Sequence, residues 1–377
     1  MRKNIITALI LVVAFTLDLN AQLAKWQKGI VKEEFLYEKA PFPSCHSATL
    51  VETPTGLVAA YFGGTKERDP DVEIYISRWV DGKWLAPVSA ADGVQKDGKR
   101  LPTWNPVLYQ IPKGELILFY KIGPKPSEWW GMMKTSKDGG ITWSEATKMP
   151  NGYIGPVKNK PNLLTNGDLF AASSKEGDGW KIHFEVTNDQ GKTWRTIGPI
   201  EGAKLDAIQP SILQHKDGRL QILARSRNRA IVESWSANNG ETWSPLAKTN
   251  LPNNNSGTDA VTMKNGKHVL VYNHVLPPGD LAKGSRTPLN VSVSKDGMNW
   301  SAALILEDSP ISQYSYPAVM QTSDGMLHFI YTWRREKIKH VVVDPSKLKL
   351  RKIKGGIWPS LKGYSAPILT ETKNEEP

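Results

Sequence analysis

Ser136-Lys137-Asp138-Gly139-Gly140-Ile141-Thr142-Trp143 is the stretch whose reading decides the fold, because three more segments repeat its pattern. They are Thr187-Asn188-Asp189-Gln190-Gly191-Lys192-Thr193-Trp194, Ser236-Ala237-Asn238-Asn239-Gly240-Glu241-Thr242-Trp243 and Ser294-Lys295-Asp296-Gly297-Met298-Asn299-Trp300. Each joins a Ser or Thr, an Asp/Asn and Gly turn, and a Trp. The Asp or Asn side chain bonds its own backbone, Gly takes positive φ, and Trp packs beneath. One such segment arises by chance, whereas four in one chain predict a repeated β architecture.

A second repeat agrees with the first. An apolar run, a Gly turn and another apolar run recur six times, at 48–51 with 57–62, 107–109 with 116–120, 162–164 with 169–172, 212–213 with 220–223, 261–263 with 268–272, and 319–321 with 327–331. The turn glycines Gly56, Gly114, Gly167, Gly218, Gly266 and Gly325 fall about 50–60 residues apart, the period of four-stranded blades. The expected fold class is all-β, a six-bladed β-propeller with almost no helix. Each quoted corner follows such a hairpin, where the third strand turns into the fourth. In the first blade 77–84 reads as a decayed corner with Asp81-Gly82 and Trp84, and in the last only the strand 339–343 remains. Residues 30–37 are expected to add the outer strand of the last blade, since ring closure removes exposed edges.

Composition bounds the setting. Arg2 and Lys3 precede the apolar run 5–17, and Asn20-Ala21 resembles a cleavage site, so 1–21 reads as a signal peptide and 22–377 as one domain. The apolar run is too short to span a bilayer, no Cys follows it to carry a lipid, and no membrane span is expected later. The mature chain is expected to be periplasmic, with outright secretion as the alternative, and monomeric. Cys45 is the lone cysteine, which excludes an internal disulfide; it reads as a buried filler, since nothing local lowers its pKa. The formal net charge is +11, and losing the leader lowers it by one. The lysines are scattered and no nucleic-acid motif occurs, so acidic glycans are the expected partners and nucleic acid is not. Phosphate loops, metal-ligand clusters and a G-x-S-x-G elbow are absent, so no cofactor and no catalytic metal are expected. The tail 370–377 is polar and expected to fray.

Innermost propeller strands begin near the central axis, so their first residues face a shared funnel. Aligning the six strands on the Pro or small residue that opens each places His46, Asn105, Lys160, Gln209, Asp259 and Tyr316 just before it. Six polar residues at matching positions of apolar strands mark either a wet channel lining or a functional site.

The corner segments are similar to the Asp-box of the sialidase superfamily, and the resemblance covers most of the mature chain. It implies three arginines for a substrate carboxylate, an acidic acid/base residue, and a tyrosine nucleophile with a glutamate partner. Tyr314 in Gln313-Tyr314-Ser315-Tyr316 matches the tyrosine motif, Arg286 in Ser285-Arg286-Thr287-Pro288 the last arginine, and Arg225 in Leu223-Ala224-Arg225-Ser226 the middle one. Asp69 or Asp71 occupies the acid/base loop. Two positions depart: His46 stands where the first arginine belongs, and Gln209, before Pro210, where the glutamate belongs. Glutamine cannot take the tyrosine proton. Asp259 is expected to replace the glutamate if the fold brings it to Tyr314. A neutral tyrosine avoids repelling a sugar carboxylate, and arginine forks grip that carboxylate bidentately. Trp129-Trp130, in a long excursion of the second blade, reads as either a sugar-stacking platform or a lid.

The leading expectation is therefore an exported exo-acting glycosidase on terminal acidic, sialic-acid-like sugars. His46 with Tyr314 or Tyr316 leaves open hydrolysis or elimination on another uronic- or ulosonic-acid glycan. A non-catalytic sugar-binding propeller is the third reading, and fold alone does not choose among them.

Overall fold

The structure is a computed structural model that describes residues 27–202, 204–310 and 313–360. The leader 1–21 and the tail 370–377 lie outside these residues. The strands form six antiparallel sheets arranged as the blades of a propeller. Blade one holds Ser44–Thr53, Gly56–Gly64, Glu73–Val80 and Val88–Ala91. Blade two holds Thr103–Gln110, Leu116–Ile122, Trp130–Ser136 and Thr147–Lys148, and blade three Asn162–Leu163, Leu169–Lys175, Lys181–Thr187 and Arg195–Ile197. Blade four holds Ala207–Gln214, Leu220–Ser226, Ala230–Ser236 and Ala247–Pro252. Blade five holds Asp259–Thr262, His268–Tyr272, Leu289–Ser294 and Trp300–Glu307, with Arg351–Lys352 added at its edge. Blade six takes Tyr314–Gln321, Leu327–Trp333 and Lys337–Val343 from the end of the chain and Ile30–Phe35 from its start. Among the described residues, one 3-10 turn at Pro345–Lys347 is the helical content, and no helix is long and apolar enough to cross a membrane.

Each of the four Asp-box corners closes with one bonding scheme. In the first, Ser136 Oγ accepts from Gly140 N at 2.8 Å and donates to Asp138 Oδ1 at 2.8 Å. Asp138 Oδ1 in turn accepts from the amides of Ile141 and Thr142 at 3.0 and 2.9 Å. The corner tryptophans Trp194, Trp243 and Trp300 donate from the indole to Gly191, Gly240 and Gly297 O at 3.0, 2.8 and 3.0 Å. Gly240 sits at φ +84° with Phe170 of the preceding blade 2.6 Å from where a Cβ would stand, so glycine is required twice over. The expected decayed corner at 77–84 is something else. Asp81 and Gly82, at φ 49° and 80°, form a tight two-residue hairpin turn that pairs Trp79 with Trp84.

Apolar faces of neighbouring blades meet in six buried clusters, one at each blade interface. The interface closing the ring packs Leu36, Tyr37, Tyr61, Ile330 and Ile338 around the buried thiol of Cys45. Burial pushes that thiol up to about 12, so it stays protonated and inert.

The inner strands are irregular where they approach the axis. Blades one, two, four and six each carry a bulge there, with a non-glycine residue at positive φ: Ser47 (58°), Asn105 (31°), Gln209 (57°) and Tyr316 (50°). Such residues tilt a side chain off the sheet, and strain of this kind gathers at functional sites.

Trp300 is 3% exposed in the interface of blades four and five, whereas Trp143 is half-buried. Trp300→Ala is expected to cost about 3–5 kcal/mol, with Trp143→Ala costing less, both read from urea denaturation midpoints. Equal losses would show that burial in the blade interface does not set the cost.

Candidate active site

The bulges set which residues share a level of the funnel, and counting back from each hairpin turn corrects the alignment read from the sequence. Asn105, Gln209 and Tyr316 are equivalent, but their counterparts in blades one, three and five are Ser47, Lys158 and Gly257. His46 comes one residue earlier. Lys160 and Asp259 come two residues later, level with Ser211. The physical reason is that a bulge adds a residue to one strand only, so position from the strand's opening residue is not register.

The lower level is a polar plug. Asp259, 1% exposed, accepts from Lys160 Nζ at 2.8 Å, Ser211 Oγ at 2.9 Å and the Val319 amide at 2.9 Å. Both its oxygens are thus committed to tying blade five to three other blades. Asp259 therefore does not take the missing glutamate's place. Above it the buried Lys158 ammonium donates to Asn159 Oδ1, Thr258 O and Pro317 O at 2.8, 2.9 and 2.7 Å. Three acceptors match an ammonium's three hydrogens, while burial pulls its pKa down to about 7 against the attraction of Asp259. Asn105 is likewise a staple, donating to Val157 O at 2.9 Å.

Tyr316 stands at the centre of the upper level. Its hydroxyl oxygen accepts from Arg225 Nη1 at 2.7 Å and from Gln209 Nε2 at 3.2 Å. The Arg225 and Arg286 guanidinium carbons lie 5.7 and 5.8 Å from its ring centre, and Lys158 Nζ lies 5.7 Å away. Arg225 is held in turn by Asn255 Oδ1 at 3.0 and 3.2 Å and by Gln209 Oε1 at 3.2 Å. Tyr314 lies elsewhere. It is 1% exposed in the core between blades five and six, with its hydroxyl 3.4 Å from Arg334. The motif reading of Tyr314 as nucleophile is corrected by alternation along a strand: residues two apart share a face only until a bulge intervenes, and here the bulge turns Tyr316 into the funnel.

A third guanidinium comes from a place the motifs do not mark. Arg335 follows the strand Leu327–Trp333 at φ 63°. It reaches Gln313 Oε1 at 3.3 Å, an oxygen that also accepts from Arg286 Nη1 at 2.9 Å. The His46 ring lies against Tyr316 with ring centres 4.1 Å apart and planes tilted by 48°, and its Nδ1 lies 2.8 Å from Thr332 Oγ1. Burial, then the nearby Arg335, Arg286, Lys158 and Arg225, hold its pKa well below 6.5, so the imidazole is neutral.

Two carboxylates face this cationic group, and the sequence pattern pointed to neither. Glu67 bridges to Arg335 Nη1 at 2.5 Å. Burial works to raise its pKa, but Arg335, Arg286 and Arg68 more than offset this and hold it below the usual range. Glu176, in the turn of blade three, is raised by burial, with Arg225 and Arg227 opposing and Glu67 adding to the rise. Asp69 and Asp71 lie in the same loop as Glu67. Asp71 is exposed and closes that loop by accepting from the amide and hydroxyl of Thr65 at 2.9 and 2.8 Å. A Glu between two cations in a loop has no sequence signature of its own; only the lone Arg334-Arg335 turn after an inner hairpin hinted at charge here.

The Trp129-Trp130 pair divides. Trp129 meets Trp104 edge-on at 6.0 Å beside the funnel, while Trp130 packs between blades one and two under Lys148 Nζ at 5.3 Å.

A six-bladed propeller with an arginine-lined central site and Asp-box corners defines the class. A family model described as the BNR repeat-like domain matches residues 55–329, and the chain belongs to that family. Among solved structures it is similar to a protein of unknown function from Dyadobacter fermentans, with TM-score 0.68 and 15% identity over 86% of this chain and 100% of that one. It is also similar to the NanB sialidase from Streptococcus pneumoniae, with TM-score 0.65 and 13% identity over 84% and 71% of the two chains. The intramolecular trans-sialidase from Ruminococcus gnavus gives TM-score 0.65 and 14% identity over 86% and 99%. No curated protein matches the chain significantly. At these identities the likeness is one of fold.

Tyr316→Phe is expected to remove turnover or ligand binding with the melting temperature little changed, whereas Tyr314→Phe is expected to leave activity within about threefold of wild type, on the order of 0.6 kcal/mol. The reverse pattern would restore Tyr314 as the functional phenol. His46 makes a prediction of opposite kind. Its folded pKa lies below the unfolded 6.5, so the unfolded chain binds the extra proton and stability is lost as pH falls below about 6.5. His46→Gln is expected to flatten this acid limb in denaturation at pH 4.5–7, on the order of 1 kcal/mol or more; an unchanged limb would count against a buried neutral imidazole.

Proposed function

We propose that the chain is an exported glycosidase that removes a terminal acidic, sialic-acid-like sugar from a glycan. The observation that carries this reading is the gathering of Arg225, Arg286 and Arg335 around Tyr316. Guanidinium forks grip a carboxylate by paired charge-assisted bonds, and their number restores the three that His46 had seemed to reduce to two. Gln209 offers Tyr316 a donor in place of a base, and the Gln209 and Arg225 bonds to the phenol oxygen stabilise the negative charge that develops there as it attacks. The phenol oxygen, ringed by cations, meets the anomeric carbon while the sugar carboxylate is neutralised nearby. Export is proposed from the leader, and the basic net charge draws an acidic glycan to the funnel.

The neutral His46 against the Tyr316 ring favours a second reading, proton abstraction and elimination from a uronic-acid residue held by the same arginines. Product analysis on a panel of acidic glycans separates the two. Free acidic monosaccharide supports hydrolysis, an unsaturated product absorbing near 235 nm supports elimination, and binding without turnover supports a lectin.

Arg286 tests the clamp. A charge-assisted bond is worth about 1.5–3 kcal/mol, so Arg286→Ala is expected to lower kcat/KM by about one to two orders of magnitude at ~1.4 kcal/mol per tenfold. Arg286→Lys is expected to recover part, keeping charge without the planar fork. Neither change should matter much for an analogue whose carboxylate is reduced to an alcohol. Equal losses on acid and alcohol, with a lowered melting temperature, would mark Arg286 as structural.

A further inference from the structure

Blade three turns through 176–180 between Leu169–Lys175 and Lys181–Thr187, and that turn carries Glu176 toward two different surroundings. On the funnel side it faces Arg225 and Arg227, which lie 5.0 and 4.1 Å from the ring centre of the buried Trp180, with Glu67 beyond. On the other side it lines a cleft of about 390 Å³ between blades two and three, walled by Ser127 and Trp129 opposite Lys175 and Lys181. That size falls within the roughly 300–1,000 Å³ of small-ligand sites.

Trp129 is fixed in this wall. Its ring meets Trp104 edge-on, and Trp104 is itself anchored by donating from its indole to Gly123 O at 2.7 Å. Gly123, at φ +156°, lets the Trp129 backbone pass so closely that a Cβ would stand 2.5 Å from its Cα. A half-buried indole held rigidly beside a carboxyl, lysines and open space is suited to stacking a sugar ring while polar groups bond its hydroxyls.

We infer that Glu176 is the proton donor to the departing sugar, and that the cleft floored by Trp129 is the subsite that holds this sugar. The inference rests on the glycosidase reading above and narrows its substrate to an acidic sugar linked to at least one further sugar. Glu176 lines the cleft and lies within the electrostatic reach of Arg225, Arg227 and Glu67 on the funnel side, so a substrate spanning both would carry its bridging oxygen past it. The Tyr316 oxygen gives its electron pair to the anomeric carbon and releases its phenolic proton to solvent water, and the bond from that carbon to the bridging oxygen breaks. The bridging oxygen keeps that pair, takes the Glu176 proton and leaves as a hydroxyl. Water then returns a proton to Glu176 as its oxygen replaces Tyr316 on the anomeric carbon, and the released Tyr316 oxygen takes its proton back from solvent water. The two carboxyls divide the work as acid catalysis requires: burial keeps Glu176 protonated more readily, while Glu67 stays ionised against Arg335. The charged groups facing Glu176 are Arg225, Arg227 and Glu67 on the funnel side, with Lys175, Asp178 and Lys181 on the cleft side.

The test uses the full chain with two substrates sharing one acidic sugar: 4-nitrophenyl sialoside, whose leaving group needs no proton, and sialyllactose, whose leaving group does. Glu176→Gln is expected to lower kcat on sialyllactose by about 10²–10⁴-fold, to change the aryl substrate far less, and to abolish the loss of activity toward high pH. Trp129→Ala is expected to raise KM for sialyllactose about tenfold, on the order of one 1.4 kcal/mol step, with kcat little changed. Equal losses on both substrates with an unaltered pH profile would overturn the assignment, as would a leaving-group-dependent loss in Asp69→Asn or Asp71→Asn instead. If wild type turned over neither substrate, the sialic-acid reading itself would fall and this inference with it. A working wild type with an indifferent Glu176→Gln would remove this inference alone.

Discussion

Pairing of Ile30–Phe35 with Lys337–Val343 is the constraint on which the molecule depends. It joins the two ends of the described chain in one blade and closes the ring. With the ring closed, six inner strands must converge on one axis, and residues far apart in sequence become neighbours. Arg225 of blade four and Tyr316 of blade six bond at 2.7 Å across 91 positions of chain. Without closure the inner ends would splay and no such contact would survive.

Convergence concentrates charge as well as geometry. Arg225, Arg286, Arg335 and Lys158 all bear on His46, and this crowding costs free energy unless something offsets it. Part of the offset is local: Gln209, Asn255 and Gln313 accept from the guanidiniums without adding charge. Part is ionic, from Glu67 above and Asp259 below. The anionic ligand proposed above would add to this offset, since an anion binds best where cations are already held in place. A neutral His46 belongs to the same logic, since a further cation at that spot would be repelled by four others.

The plug and the site divide the funnel by level. Asp259, Lys160 and Ser211 bond one another and fasten blades, so their polarity is structural. Two residues toward the opening, Gln209 and Tyr316 occupy strained positive-φ positions and bond to each other and to Arg225. Polar residues at the axis therefore serve two purposes, and the bulge is the boundary between them.

The sequence by itself determined the blade number and the corner chemistry. Those features rest on contacts within a few residues: Asp138 with Thr142, Trp243 with Gly240, and a hairpin around each turn glycine. It also marked Gln209, Tyr316 and His46, because inner-strand openings are periodic, and Arg225 and Arg286, through the motifs that carry the family resemblance. Only the tertiary structure decided which of them meet. Bulges shifted the register and exchanged Tyr314 for Tyr316, and they moved Asp259 and Lys160 into the plug; no local pattern encodes a bulge of one residue. Arg335, Glu67 and Glu176 come from irregular turns of three different blades, where single charged residues are ordinary. They acquire meaning through ring closure, because burial and the field of neighbouring charges exist only once the blades surround one axis.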